Sequence, residues 1–466
     1  MAGGKGHDKK LAALLSRIVA DIRPSESEIA AASRYSNELM GRLRRVLPKD
    51  VEIILAGSVA RGTQIRGASD IDIFLLFPKG VQERTMEAEA LRVAKKIVSR
   101  KDGESYEINY AEHPYLKLIN RKLGFTADIV PAFKIRDAGD MGTSVDRTQL
   151  HNEFVKAHLG VRQLDDVRLL KHFLDSHRIY GAEARVSGFS GYLCELLIYH
   201  YGSFIAAIEK LSALKLPLVI RILGNKEVTD SREVEAALKR FGSRFIVIDP
   251  TDSNRNVAAN VSIESLSRLV MASRMLLRSP SVKSFYGPKI ADIASRAWLS
   301  QLIKSYGFDV HTIAVKLPSI SEDTLWPQLK RLAGSISGRM ESEGFKPLLS
   351  LQYMDGNEAI MSFVTNRTEM NARVVEGPPV GMAEGAELFY KKHKHGSNVS
   401  IEGERLFSLE SAQFPNAHEL LSRLLTDSKF GFPSHIGKKH AHLFIGALPE
   451  RYAKMLRLAY EIKMNV

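Results

Sequence analysis

Asp70 and Asp72 stand one residue apart in the run Ser69-Asp70-Ile71-Asp72-Ile73-Phe74. Side chains of an extended chain alternate between faces, so this spacing puts both carboxylates on one side and Ile71 and Ile73 on the other, toward a core. Two neighbouring carboxylates repel each other unless a cation lies between them. Hard oxygen ligands of this kind suit Mg²⁺, which favours carboxylates shared with substrate phosphates. Upstream, with eleven residues between it and Asp70, Gly57-Ser58 closes a short apolar run. A turn or helix start there offers backbone N–H groups and a hydroxyl to a triphosphate, and glycine lets the backbone come close to the phosphates. A second metal needs a third carboxylate. Asp128, in Thr126-Ala127-Asp128-Ile129-Val130-Pro131, is the best placed, because an unpaired charge amid apolar strand residues is unfavourable. Two cations about 4 Å apart among three acids would activate an attacking hydroxyl and stabilise a leaving pyrophosphate. Singly, Asp-x-Asp reads as a solvated strand edge and Gly-Ser as a turn. Their combination points to a site.

These residues need strands and helices to hold them. Leu11, Leu14, Leu15, Ile18, Val19 and Ile22 follow the spacing of one helix face, and Pro24 ends that helix. Ser25-Glu26-Ser27-Glu28 reads as a capping box opening a second helix to about Leu47. Val51–Ala56 and Ser69–Phe77 read as strands and Thr85–Val98 as a helix. Tyr106–Ile119 and Phe125–Phe133 read as two further strands joined around Asn120–Gly124. From Val167 the chain is mostly helical, with helices at Val167–His177, Gly191–Lys210 and Ile263–Met275. A connector follows, between about Met275 and Lys289. Beyond it, His311–Leu317 and Leu348–Tyr353 alternate as strands, and Asp355-Gly356-Asn357-Glu358 turns a hairpin into Ala359–Val364. Helices around Trp326–Glu343 and Met382–Lys392 complete this part. The expectation is a multidomain α+β protein with domains at residues 1–150, 151–280 and 281–466.

Composition narrows the class. With 466 residues, 44% of them hydrophobic and 26% charged, the chain has the make-up of a globular protein with several cores. It contains no run of about eighteen apolar residues, so no membrane span is expected. The N-terminal stretch reads as an amphipathic helix rather than a signal peptide. Cys194 is the sole cysteine, which excludes an intrachain disulfide and fits a reducing interior, with the cytoplasm as the default location. The net charge of +13 fits a polyanionic partner, or a merely well-solvated basic surface.

Gly57-Ser58, then Asp70-Ile71-Asp72, resembles the signature of the DNA polymerase beta-type nucleotidyltransferases. GSVARGTQIRGASDIDIFLLFP, YAEHPY (Tyr110–Tyr115), ADIVPAF, VRLLKHFLDSHRIYGAEARVSGFSGYLCELLIYHYGSF and DPTDSNRNVAAN resemble, in order, the archaeal class I CCA-adding enzymes. GPPV (Gly377–Val380) is a further, weaker match. The resemblance implies a nucleotidyltransferase palm with a mixed sheet, a helical central domain that helps bind nucleotide, and an α+β C-terminal region that binds RNA. It implies a tRNA nucleotidyltransferase that builds the terminal CCA from CTP and ATP without a nucleic-acid template. Asp70, Asp72 and Asp128 would be the catalytic carboxylates holding two Mg²⁺ ions, with Mn²⁺ as an alternative. Gly57, Ser58 and Arg61 would contact the triphosphate. His151, Lys171, Tyr180 and Ser190 match positions lining the nucleotide pocket, and Arg255 matches the arginine that reads the incoming base. Asp70 is a conservative departure, since members often carry Glu there.

Each carried-over residue also has a plain reading. Lys171 reads as a solvated lysine, Tyr180 as a partly buried ring, Ser190 as a helix N-cap and His151 as a satisfied structural histidine. Arg255 says more. A planar fork can donate to cytosine O2 and N3 or adenine N1, where uracil and guanine present an N–H. Lys391-Lys392-His393-Lys394-His395 and Lys438-Lys439-His440 are basic clusters that the resemblance turns into candidates for gripping the acceptor stem and T arm of tRNA. No Cys, Asp or Glu stands near these histidines at ligand spacing, so a metal reading is set aside. A homodimer stays open. The competing readings are another nucleotidyltransferase of the superfamily, such as a poly(A)-adding enzyme, and a non-catalytic RNA-binding protein that kept the fold. The latter predicts loss of a carboxylate, and all three are present.

Overall fold

The computed structural model describes residues 3–68, 70–110, 113–286, 294–367, 369–394 and 398–464. Ser69, Ala111 and Glu112 of the motifs above, and His395 of the basic cluster, lie outside the described residues. The chain divides into two compact units between residues 288 and 289.

The first unit opens with α1 (Gly3–Ile22) and α2 (Glu26–Arg44). Ser25 and Glu28 form the expected capping box, each side chain accepting from the other's backbone N–H. Then come β1 (Glu52–Ala56), the short helix α3 (Gly57–Arg61), β2 (Asp70–Phe77), α4 (Glu83–Lys96), β3 (Glu104–Tyr110), β4 (Pro114–Asn120) and β5 (Phe125–Phe133). The strands form one mixed sheet in the order β1-β2-β5-β4-β3, with β2 and β5 parallel and the other pairs antiparallel. Ile71, Ile73, Leu75 and Phe77 share a core with Leu39 and Leu43 of α2 and Met86, Ala90 and Val93 of α4. Phe74 and Leu76, on the opposite face, pack with Ala56 and Ala132. Asp70 and Asp72 begin that second face.

The stretch Tyr106–Ile119, expected as one strand, is the hairpin β3–β4, with Tyr110 opposite Pro114. Both strands alternate, with Tyr106 and Ile108 in one and Leu116 and Leu118 in the other, so periodicity alone does not register the reversal. Pro114, which has no N–H to give a ladder, was the local sign of a strand start.

The rest of this unit contains α5 (Thr148–His158), α6 (Val161–Ser176), α7 (Gly191–Tyr201), α8 (Phe204–Ser212), β6 (Leu218–Arg221), β7 (Lys226–Glu227), α9 (Ser231–Phe241), β8 (Phe245–Ile248), α10 (Ile263–Arg278) and α11 (Lys283–Tyr286). Helix α1 joins this helical core, burying Leu11, Leu15, Ile18 and Ile22 with Phe173, Leu197, Phe204 and Leu269. The single helix expected over Gly191–Lys210 is two helices bent by 93°. The helical ladder stops at Gly202, and Ser203 caps α8 by accepting from the Ala206 N–H. A small sheet, ordered β7-β6-β8, interrupts the helices. Its strands are four residues or fewer, too short for a periodicity to declare itself.

The second unit contains α12 (Ser295–Tyr306), β9 (Phe308–Lys316), α13 (Glu322–Ser342), β10 (Leu349–Asp355), β11 (Glu358–Asn366), β12 (Ala372–Pro379), α14 (Ala383–His393), β13 (Asn398–Glu402), β14 (Arg405–Ser411), α15 (Ala417–Thr426), β15 (His442–Ile445) and α16 (Glu450–Met464). An antiparallel sheet in the order β10-β11-β9-β15 is its centre, with the expected hairpin closing at Asp355 opposite Glu358. Residues of α13 and α15 share one core with this sheet, and residues of α12 and α16 another. A second sheet, β12-β14-β13, carries α14. Among the described residues no single helix is long and apolar enough to cross a membrane.

Candidate active site

Strand register brings the three acids together. Asp72 lies directly opposite Asp128 on the parallel neighbour β5, and Asp70 lies opposite Thr126, whose hydroxyl donates to it. On its other side Asp72 faces Ala56, the last residue of β1. The chain then turns into α3 through Gly57 at φ +68°, where a Cβ would sit 1.7 Å from Asp72 Oδ2. Only glycine serves here, on both conformational and steric grounds. This contact is the physical link between the Gly-Ser step and the Asp pair.

The electrostatics of the cluster call for a cation. Burial raises the Asp72 carboxyl above its ordinary range; the Arg61 charge works against that and Asp70 adds to it. Burial, opposed by Lys117 and reinforced by Asp72 and Asp70, pushes Asp128 up to about 6. Asp128 Oδ1 is buried with no hydrogen-bond partner. Lys117, on the adjacent β4, holds its ammonium 3.9 Å from Asp128 and 4.0 Å from Asp70. Carboxylates on neighbouring strands with an orphaned oxygen, and with Lys117 as the one ammonium within 4.0 Å among the described residues, fit a divalent cation.

A second group surrounds Glu195, a fully buried carboxylate on α7. Its Oε1 accepts from Arg61 Nε at 3.1 Å and from the Thr63 hydroxyl at 2.6 Å, and the Lys171 ammonium lies 3.8 Å away. Lys171, on α6, also donates to the Thr63 carbonyl and hydroxyl, each at 3.1 Å. It is thus a buried lysine, not a solvated one, and burial lowers its pKa. Tyr180 reaches the same place: a Cβ on Gly191 would lie 3.2 Å from Tyr180 Oη and 3.6 Å from Lys171 Nζ. Burial raises the pKa of the Tyr180 phenol. Ser190 caps α7, accepting from the Leu193 N–H at 3.1 Å, as its plain reading anticipates. Arg168 of α6 donates to the Gln64 and Gly62 carbonyls, fixing the loop after α3.

The third group centres on Asp249. His151 Nε2 lies 2.9 Å from its Oδ2, as does Arg255 Nη1. The His151 ring stacks on Tyr192, with centroids 3.8 Å apart. Arg61 joins the three groups, being close enough to act on the titration of both Asp72 and His151. The structure therefore brings Gly57, Arg61, the three acids, Lys171, Tyr180 and Ser190, and His151 and Arg255, into one unit. Sequence reasoning missed Thr63, Lys117, Tyr192, Glu195 and Asp249. Glu195 had a signal: a charge within Leu193-Cys194-Glu195-Leu196-Leu197 must be buried and paired.

In the second unit, part of the basic clusters serves the protein itself. His393 is buried against Glu410, and Lys438 donates to the Asp427 and Phe430 carbonyls. Lys391, Lys392, Lys394 and Lys439 are exposed.

A sheet with acids on two parallel neighbours and a Gly-Ser step beside them belongs to a nucleotidyltransferase, and the family model described as "Nucleotidyltransferase domain" matches residues 37–152. "tRNA nucleotidyltransferase, second domain" matches residues 165–286, and "CCA-adding enzyme, C-terminal domain" matches residues 307–444. A solved structure of a cytoplasmic RNA terminal U-transferase aligns over 60% of this chain and 100% of its own, at 17% identity and a TM-score of 0.46. The CCA-adding enzyme of Methanocaldococcus jannaschii is 32% identical, over 92% of this chain and 94% of its own length. That of Methanosarcina acetivorans is 32% identical over 89% of each, and that of Archaeoglobus fulgidus 35% identical over 73% of this chain and 72% of its own. The chain belongs to the CCA-adding enzyme family.

Proposed function

We propose that this enzyme adds C, C and A to the 3′ end of tRNA from CTP and ATP, without a nucleic-acid template. The observation that carries the reading is the register that sets Asp70 and Asp72 on one face of β2 with Asp128 opposite Asp72, beside Gly57, and leaves Asp128 Oδ1 buried and unpaired. These three acids would hold two Mg²⁺ ions, or Mn²⁺. Cations bound there supply activation of the attacking 3′-hydroxyl and neutralisation of the leaving pyrophosphate.

The chain's own residues do the rest. The backbone at Gly57 and the Ser58 hydroxyl receive the triphosphate at the start of α3. Arg61, bonded to Glu195 through Nε, turns its Nη groups to phosphate oxygens when nucleotide binds. Lys171 and Tyr180, with Ser190 beside them, close on phosphate and sugar from the helical side. His151 lines the pocket, and Arg255 donates to the acceptor edge of cytosine or adenine. Residues 1–150 act as catalytic domain, 151–280 as nucleotide-binding domain and 281–466 as tRNA-binding region. Exposed Lys391, Lys392, Lys394 and Lys439 are the candidates for phosphates of the acceptor stem and T arm.

The test is incubation of tRNA lacking its 3′ terminus with each labelled NTP, singly and in pairs. Ordered incorporation of C, C and then A is expected. Long ATP-only tails would assign a poly(A)-adding enzyme instead.

A further inference from the structure

Arg255 is a flexible side chain given a task that demands a fixed plane. Telling cytosine or adenine from uracil or guanine requires N–H donors at set positions, and an unrestrained arginine samples many rotamers. What restrains it is Asp249, at the end of β8. The Asp249 residue is 1% exposed, and its carboxylate accepts five hydrogen bonds. Oδ2 takes His151 Nε2 and Arg255 Nη1, both at 2.9 Å. Oδ1 takes the Thr251 N–H at 2.9 Å, the Thr251 hydroxyl at 2.8 Å and the Tyr192 hydroxyl at 3.3 Å.

The backbone supports the same arrangement. The Asp249 N–H donates to the Arg255 carbonyl at 3.1 Å, and the Arg255 N–H donates to Asp252 at 2.9 Å. The loop is thereby closed, with Arg255 folded back beside the carboxylate. One Nη is bound, while the Arg255 side chain stays 32% exposed and so remains accessible to a ligand. His151 and Tyr192, stacked on each other, hold the other sides of Asp249 and tie it to α5 and α7.

We infer that Asp249 is the positioning residue for nucleotide selectivity: it fixes the Arg255 guanidinium so that its remaining donors meet a base edge without acceptors having to be searched for. The inference rests on the reading of Arg255 as the base contact. It also assigns His151 a role through Asp249, holding that carboxylate in place.

The test compares Asp249→Asn, Arg255→Ala and the double variant by the ratio of kcat/KM for CTP over UTP on tRNA lacking its 3′ terminus, with thermal midpoint measured alongside. Each single variant should lower the ratio by about tenfold or more, and the double variant should be no worse than either, because both remove one device. Unchanged selectivity in Arg255→Ala would overturn the base-reading role and this inference with it. A selectivity loss in Arg255→Ala but not in Asp249→Asn, or losses that multiply in the double variant, would overturn the inference alone. Should Asp249→Asn not fold, Thr251→Val loosens Asp249 while retaining it. A ratio lowered a few-fold supports the proposal, and an unchanged ratio contradicts it.

Discussion

Two sets of carboxylates in the first unit are built in opposite ways. Asp70, Asp72 and Asp128 stand on neighbouring strands with, among the described residues, one lysine beside them, an orphaned oxygen, and pKa values of Asp72 and Asp128 driven up by burial. Asp249 is buried too, and burial pushes its carboxyl up, yet hydrogen bonds from His151 and Thr251 outweigh that and hold it well below the usual carboxylate range. Glu195 shares an orphaned oxygen, Oε2, with the first set, but Arg61, the Thr63 hydroxyl and Lys171 all stand at its Oε1, so by charge it belongs with Asp249. The difference teaches how to tell acids that bind from acids that position. A positioning acid has its donors supplied by the protein, so its charge stabilises the fold. A binding acid is left short of positive charge, and the deficit is what a metal answers.

The largest effect should come from the binding set. Asp72→Asn should lower nucleotide incorporation on the order of 10³-fold while leaving tRNA affinity within error and thermal stability without magnesium undiminished. Weakened tRNA binding with retained turnover would reverse the assignment. Glu195→Gln should behave the other way, lowering folding stability by about 3 kcal/mol because it leaves buried cations unpaired; chemical denaturation measures this, and unchanged stability would place Glu195 among the binding acids. Acidity should separate the sets further. A carboxyl raised to about 6 holds its proton where an ordinary aspartate has lost it, and a metal must expel that proton. Magnesium affinity, followed by calorimetry, should therefore be level above that pH and fall by about tenfold per unit below it. Affinity level down to pH 4.5 would remove Asp128 from the site. The smallest effect is expected at Lys117→Met. Losing the ammonium that stands near Asp70 and Asp128 should tighten magnesium binding by about fivefold or less, and weaker binding would mean that Lys117 supports the metal site.

The sequence carried some of this plainly and some of it not at all. Asp70 and Asp72 alternate with Ile71 and Ile73 because a strand has a period of two, and that pattern is local. The capping box at Ser25 and Glu28 is local for the same reason. The pairing of Asp72 with Asp128 depends on the register of parallel strands far apart in the chain, so Asp128 was reached only by asking where an unpaired charge is unwelcome. Lys171 looked like a surface lysine because nothing nearby in sequence announces Glu195 as its partner. Asp249 opens the run DPTDSNRNVAAN, but its role stayed unread for a similar reason: its donors come from α5, from α7 and from its own loop, and only folding gathers them. The β3–β4 reversal was lost to alternation in both of its strands, and the strands β6 to β8 to their short lengths.

The central claim is that three aspartates hold divalent cations beneath a bound triphosphate. Crystals grown with Mn²⁺ and CTP, measured for anomalous scattering, test it most directly. Two anomalous peaks, each within coordination distance of the Asp70, Asp72 and Asp128 carboxylates and of the phosphates, are predicted. Nucleotide bound elsewhere, or peaks absent from among these acids while nucleotide is present, would contradict it.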